Sequence, residues 1–99
     1  MKIVIRKHML DPAPVNEFNV PAGAQFLCAR EQHNRPSVWF ICDPEMKVRE
    51  MRTIIILGTD QERASDLVDG TRYLGSCHLG GGDLVLHVFE KIAAPHLDS

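Results

Sequence analysis

His78 and His87 are the residues of this 99-residue chain best spaced for metal chemistry. They bracket Gly80-Gly81-Gly82-Asp83, and a two-residue turn at Gly82-Asp83 sets them directly opposite each other on one sheet face. Such a pair could supply part of a metal site for a hydrolase. A third ligand is needed, and strand alternation sends Cys77 to the other face. Moving the turn by one residue also breaks the pairing. A structural pair of histidines is therefore preferred, and neither a metal nor another cofactor is expected.

Cys28 and Cys42 flank the loop His33-Asn34-Arg35-Pro36 symmetrically, so a simple hairpin places them across from each other. Neither has an obvious basic partner, so both read as small buried hydrophobes rather than thiolate nucleophiles. Gly80-Gly81-Gly82 leads into a strand with no lysine after it. A phosphate-cradling loop leads into a helix instead, so this run reads as a hairpin turn. Asp60, Glu62, Asp66 and Asp69 fall in one segment where solvation is the default. No Ser-His-Asp arrangement can be argued from spacing.

The ligand-binding candidates are Trp39, Lys47, Arg49, Arg52 and Tyr73. Arginine offers paired donors to phosphate, and an aromatic ring can stack on a base. Lys47 and Arg49 share a strand face by period two, while Arg52 lies on the other unless a bulge intervenes. Glu45 and Glu50 interleave with these cations, so a solvated, self-neutralised strand is the competing reading. Trp39 competes as a core residue.

The elements that must position these residues are strands. Lys2–Lys7, Phe18–Pro21, Gln25–Arg30, Ser37–Cys42, Lys47–Leu57, Arg72–Leu79 and Leu84–Lys91 are β-rich runs divided by proline, glycine and asparagine turns. In the third run, simple alternation puts Phe26 and Cys28 on one face and Leu27 and Ala29 on the other. The four β-branched residues Thr53-Ile54-Ile55-Ile56 argue against a helix there. Thr59-Asp60-Gln61-Glu62 has capping-box spacing and Gly70 stands as a terminator, so residues 60–68 are either a short helix or a loop. The expected fold is all-β: a compact antiparallel sandwich or barrel of about seven short strands, with at most one short helix. Residues 1–92 form one domain and 93–99 a flexible tail.

Thr53–Leu57, Val38–Cys42 and Leu84–Phe89 are apolar on both faces, whereas a strand with one wet face alternates. Either loops or the short helix cover the second face, or it packs on another subunit. With so little helix available, the second explanation is preferred, and a homo-oligomer, most simply a dimer, is expected.

The composition is 44% apolar and 24% charged with a formal net charge of −2, as in ordinary globular domains. That balance argues against nonspecific nucleic-acid binding, while leaving room for a local basic patch. The longest apolar runs are too short to span a membrane, and the N-terminal residues lack the apolar stretch of a secretory signal. Three cysteines without Cys-x-x-Cys spacing point to free thiols in a reducing cytoplasm.

Several segments read together carry a resemblance. Pro21-Ala22-Gly23-Ala24, Val38-Trp39 ahead of Asp43-Pro44, Arg52-Thr53-Ile54 leading to Gly58-Thr59, Tyr73-Leu74-Gly75-Ser76 and His87-Val88-Phe89-Glu90 occur in this order. The order resembles a small domain family of unknown function encoded in bacteriophages and prophages, over nearly the whole chain. The chain departs from that pattern after Thr59, where Asp60-Gln61-Glu62 replaces a glycine-and-histidine loop. The resemblance implies an accessory protein of an infected bacterial cytoplasm, and it implies no activity. Such proteins often act by occupation. The expectation is thus a non-catalytic host-defence antagonist that blocks a host defence protein or sequesters a small anionic nucleotide. A minor virion component and a metal-dependent hydrolase using His78 and His87 are the alternatives.

Overall fold

The computed structural model describes residues 1–92; the expected tail at 93–99 lies outside them. Seven strands run in the order β1 (Val4–Met9), β2 (Val15–Pro21), β3 (Gln25–Gln32), β4 (Arg35–Cys42), β5 (Arg49–Gly58), β6 (Thr71–Leu79) and β7 (Leu84–Lys91). They form a three-stranded sheet, β1-β4-β3, and a four-stranded sheet, β2-β5-β7-β6, with every pairing antiparallel. The all-β sandwich expected from the strand-and-turn pattern is the fold.

The two sheets face each other across one apolar layer. Phe26, Ala29, Val38, Phe40 and Cys42 come from the three-stranded sheet, and Ile54, Ile56, Leu74, Cys77, Leu86 and Val88 from the other. On one side the sheets nearly join, because β6 packs closely along β3. Gly75 permits this approach: a Cβ there would lie 2.7 Å from the Ala29 carbonyl oxygen, and its φ is 147°. On the other side, His8 of β1 stacks on Phe18 of β2 with ring centroids 3.7 Å apart.

Three local expectations are corrected. The β3–β4 connection is a two-residue turn at His33 and Asn34, both at positive φ (55° and 60°), the geometry of a tight type I′ hairpin. That turn sets one unbroken register from Gln32 to Cys28, and a bulge at Leu27 shifts it only beyond Cys28. Cys28 therefore pairs with Trp39 rather than Cys42, and the alternation of β3 slips. Phe26 and Ala29 both face the core, while Cys28 is half-exposed.

The capping-box reading of residues 59–62 does not hold either. Asp60 sits at φ 65°, which breaks a helix at its first turn. The Thr59 hydroxyl bonds His87 instead of capping, and Gln61 Oε1 accepts from the Gly58 N–H. Only a four-residue 3-10 turn forms, at Ser65–Val68.

At the β6–β7 hairpin, Leu79 pairs with Leu84, so the connection spans Gly80–Asp83 rather than a two-residue turn. His87 consequently faces Ser76, and His78 faces Val85.

Candidate functional site

The two outer faces of the sandwich differ. Over the four-stranded sheet, the β5–β6 connection turns back across the strands. Ile55 points away from the core, yet it is only 2% exposed; it lines a recess with Asp66 and Leu67 of that connection. So part of the second apolar face of β5 is covered by its own chain.

Beside that cover lies a polar cluster. Tyr73 O–H and Thr59 O–H bracket the His87 ring, at 3.1 Å from Nδ1 and 2.9 Å from Nε2. A neutral imidazole donates through one nitrogen and accepts through the other, so both ring positions are satisfied. His78 stands diagonally across from His87, with Ser76 between them and its Oγ 3.5 Å from His78 Nε2. Among the described residues, no three His, Cys, Asp or Glu side chains gather as a metal-ligand set.

Among the described residues, no element lies over the outer face of the three-stranded sheet. Strand alternation puts Ile5, Lys7 and Met9 of β1, Trp39 and Ile41 of β4, and Gln25, Cys28 and Arg30 of β3 on it. Trp39 is half-buried at its centre, with Lys7 directly beside it on β1 and Cys28 on β3. Arg30 lies one outward position further along β3, beside Ser37. The outward positions of these three strands carry no carboxylate. Lys7 Nζ donates to the neutral Gln32 side chain, and no carboxylate among the described residues pairs with Lys7 or Arg30. At one end the face runs into a mostly apolar groove of about 340 Å³, walled by Ile3, Ile41 and Met46 and including Asp43.

The cations expected to bind ligand are placed elsewhere. Arg52 reaches inward: it donates to Glu90 Oε2 at 2.5 Å and to the Ala24 carbonyl at 2.8 Å, with its guanidinium 5.0 Å from the Phe26 ring centroid. Arg72 donates to the other Glu90 oxygen and to the Phe26 carbonyl, both at 2.7 Å. Glu90 is 4% exposed, and a buried carboxylate needs such pairing. The two arginines also satisfy the carbonyls of Ala24, just ahead of β3, and of Phe26 within it, so this network ties the edges of both sheets together. Arg49 is exposed and donates to the Asn19 carbonyl, while Lys47 precedes β5 in the connection from β4. Tyr73 lies on the four-stranded sheet beside His87. The fold thus brings Tyr73 to His87 but separates it from Trp39, and gathers neither with Lys47, Arg49 or Arg52.

Lys7 and Arg30 neighbour Trp39 on this face without any sequence spacing that pairs them with it. Alternation along Ile3, Ile5 and Lys7 could have flagged Lys7; the bulge in β3 concealed Arg30.

Burial also shifts two groups. It lowers the His8 imidazole below its ordinary value, opposed by the nearby Asp11 carboxylate. It raises the Cys77 thiol, an effect reduced by a hydrogen bond with the Ser37 backbone and reinforced by Glu31. A buried thiol with raised pKa is a packing group rather than a nucleophile.

A family model for a domain of unknown function, DUF7352, matches residues 1–97. The chain belongs to the DUF7352 family. No curated protein and no solved structure matches it. In this DUF7352 chain, no helix among the described residues is long and apolar enough to cross a membrane.

Proposed function

We propose that this DUF7352 chain is a non-catalytic protein that acts by binding, and that its partner seats on the outer face of the three-stranded sheet. The observation that carries this reading is that face itself: a half-buried tryptophan with cations on the neighbouring strands, no carboxylate at the strands' outward positions and, among the described residues, no covering element. Tryptophan at the centre of an exposed patch is a common energetic anchor of recognition. The other outer face is partly covered by its own loop, and its histidine is already saturated by hydroxyls.

In its finer form the reading is a phage-encoded antagonist of a host defence, working in the bacterial cytoplasm. Its partner is a defence protein or an anionic nucleotide signal. The order of the segments from Pro21-Ala22-Gly23-Ala24 to His87-Val88-Phe89-Glu90 supports that form by resemblance.

The test is capture from phage-infected cells with tagged wild-type protein and the Trp39→Ala variant, alongside calorimetry against a panel of signalling nucleotides. The expected result is a partner retained by wild type and lost by the variant. Identical recoveries from both proteins, with no nucleotide bound below about 10 μM, would reject the reading.

A further inference from the structure

We infer that the outer face of the three-stranded sheet is a stacking platform for a short single-stranded oligonucleotide. Trp39 takes one base, and Lys7 and Arg30 take the phosphates on either side of it. The inference rests on the reading above that this is the face through which the protein acts, and it names the chemistry of the partner.

The first argument is charge. The chain carries a net charge of −2, so it has no molecule-wide attraction for polyanions. Its charges are segregated, however. Asp60, Glu62, Asp66 and Asp69 all lie in the β5–β6 connection associated with the four-stranded sheet. The outward positions of β1, β3 and β4 bear cations and no acid. An anionic ligand is complementary to this face, and a second copy presenting the same face would meet like charge.

The second argument is layout. Trp39 sits on the central strand of the sheet, Lys7 on β1 at one side and Arg30 on β3 at the other. Neighbouring strands are about 4.8 Å apart; the Lys7 ammonium reaches diagonally over β4 to the Gln32 side chain of β3, and on releasing it the two long side chains can reach either side of the ring. A single nucleotide offers phosphate on one side of its base. A strand crossing the sheet offers it on both.

The third argument is shape. Small-molecule sites are concave and enclose most of the ligand. This face is open, like the sheet surfaces on which unpaired bases stack against aromatic side chains. A duplex keeps its base faces hidden and has nothing to offer the ring.

Trp39 is the sole tryptophan, so its fluorescence reports the contact directly. The experiment titrates full-length protein at low salt with a mixed-sequence 12-nucleotide single strand, the matching duplex and a mononucleotide. Anisotropy of the labelled strand is followed in parallel. The single strand is expected to quench Trp39 and bind, the duplex and mononucleotide to do so at least about 10-fold more weakly. Two phosphate contacts predict a slope of log affinity against log salt of about −1.4. Lys7→Glu with Arg30→Glu abolishes binding. Trp39→Ala loses about 10-fold or more, and Trp39→Phe, which keeps a stacking ring, recovers most of it. Circular dichroism confirms that each variant folds.

No quenching by the single strand, equal affinity for duplex, or quenching indifferent to the charge reversals would each overturn the inference. If the strand fails while a Trp39-dependent protein is captured from infected cells, the oligonucleotide assignment falls and the binding reading stands. If both fail, both fall.

Discussion

His8 shows how one side chain can hold two sheets together and make that link sensitive to pH. Its ring lies flat on Phe18, with an interplanar angle of 8°, so the imidazole joins the edge strand of one sheet to the edge strand of the other. Burial lowers its pKa from the ordinary 6.5, and the opposing pull of Asp11 is the smaller effect. Above pH 6.5 the ring is neutral in the folded and unfolded chains alike, and the contact contributes fully. As pH falls below that value the unfolded chain takes up a proton that the folded chain resists, so stability declines with falling pH. The decline levels off once pH passes below the lowered folded value. Denaturant unfolding at pH 7.5 and 5.5 is expected to show wild type losing more stability on acidification than His8→Phe, which stacks but does not titrate. Equal losses would mean that His8 does not contribute to the pH dependence. The sequence could not announce this pair: His8 and Phe18 lie in different runs, and their meeting depends on β1 and β2 edging opposite sheets. The Arg52–Glu90–Arg72 network was hidden in the same way. Arg52 looks like a free cation until the pairing of β5 with β7 brings Glu90 beside it.

Strands were readable from composition and turns, because β-branched runs bounded by proline and glycine leave few alternatives. Leu84–Lys91 lies where its run predicts it. Register was not readable, because it depends on one-residue events. The tight turn at His33 and Asn34 moved Cys28 from Cys42 to Trp39, and the bulge at Leu27 put Phe26 on the opposite face from Cys28. Those same events place Arg30 on the Trp39 face, so the candidate site was concealed exactly where the register was. The bulge in β6 between Tyr73 and Gly75 is the counterpart on the opposing sheet, and there the reason for the glycine is visible. Gly75→Ala would put a Cβ 2.7 Å from the Ala29 carbonyl, at a φ of 147° that alanine rarely adopts. Backbone atoms where β3 and β6 approach along one side of the sandwich have little room to give. The expected cost is about 1–3 kcal/mol from strain, with the clash in addition. Gly70→Ala is the control: its φ is 66° but a Cβ there meets nothing within 4 Å. Denaturant midpoints should fall clearly further for Gly75→Ala than for Gly70→Ala. Equal shifts would show that the β3–β6 approach is not tight.

At the scale of the whole molecule, the sandwich is a thin plate with Cα extents of 41 × 36 × 16 Å and two chemically different broad faces. The cationic Trp39 face repels its own copy. The face of the four-stranded sheet has half-buried Leu57, Val85 and Phe89, with Tyr73 set edge-on to Phe89 at 5.2 Å. A stable dimer needs roughly 800 Å² from each partner, which a plate of these dimensions can supply from one broad face. A two-fold interface uses the same patch on both copies, so the apolar Leu57, Val85 and Phe89 positions suit it better than the cations around Trp39. We therefore predict a dimer through the four-stranded sheet, in which both Trp39 platforms point outward. Light scattering at high micromolar concentration should report twice the 11.1 kDa chain mass. Phe89→Glu places a carboxylate in the patch on each copy and should shift the protein to monomer, whereas Trp39→Ala should leave the mass unchanged. Wild-type protein that remains monomeric would reject the dimer. A dimer broken by Trp39→Ala instead would move the interface to the three-stranded sheet and remove that face from partner binding.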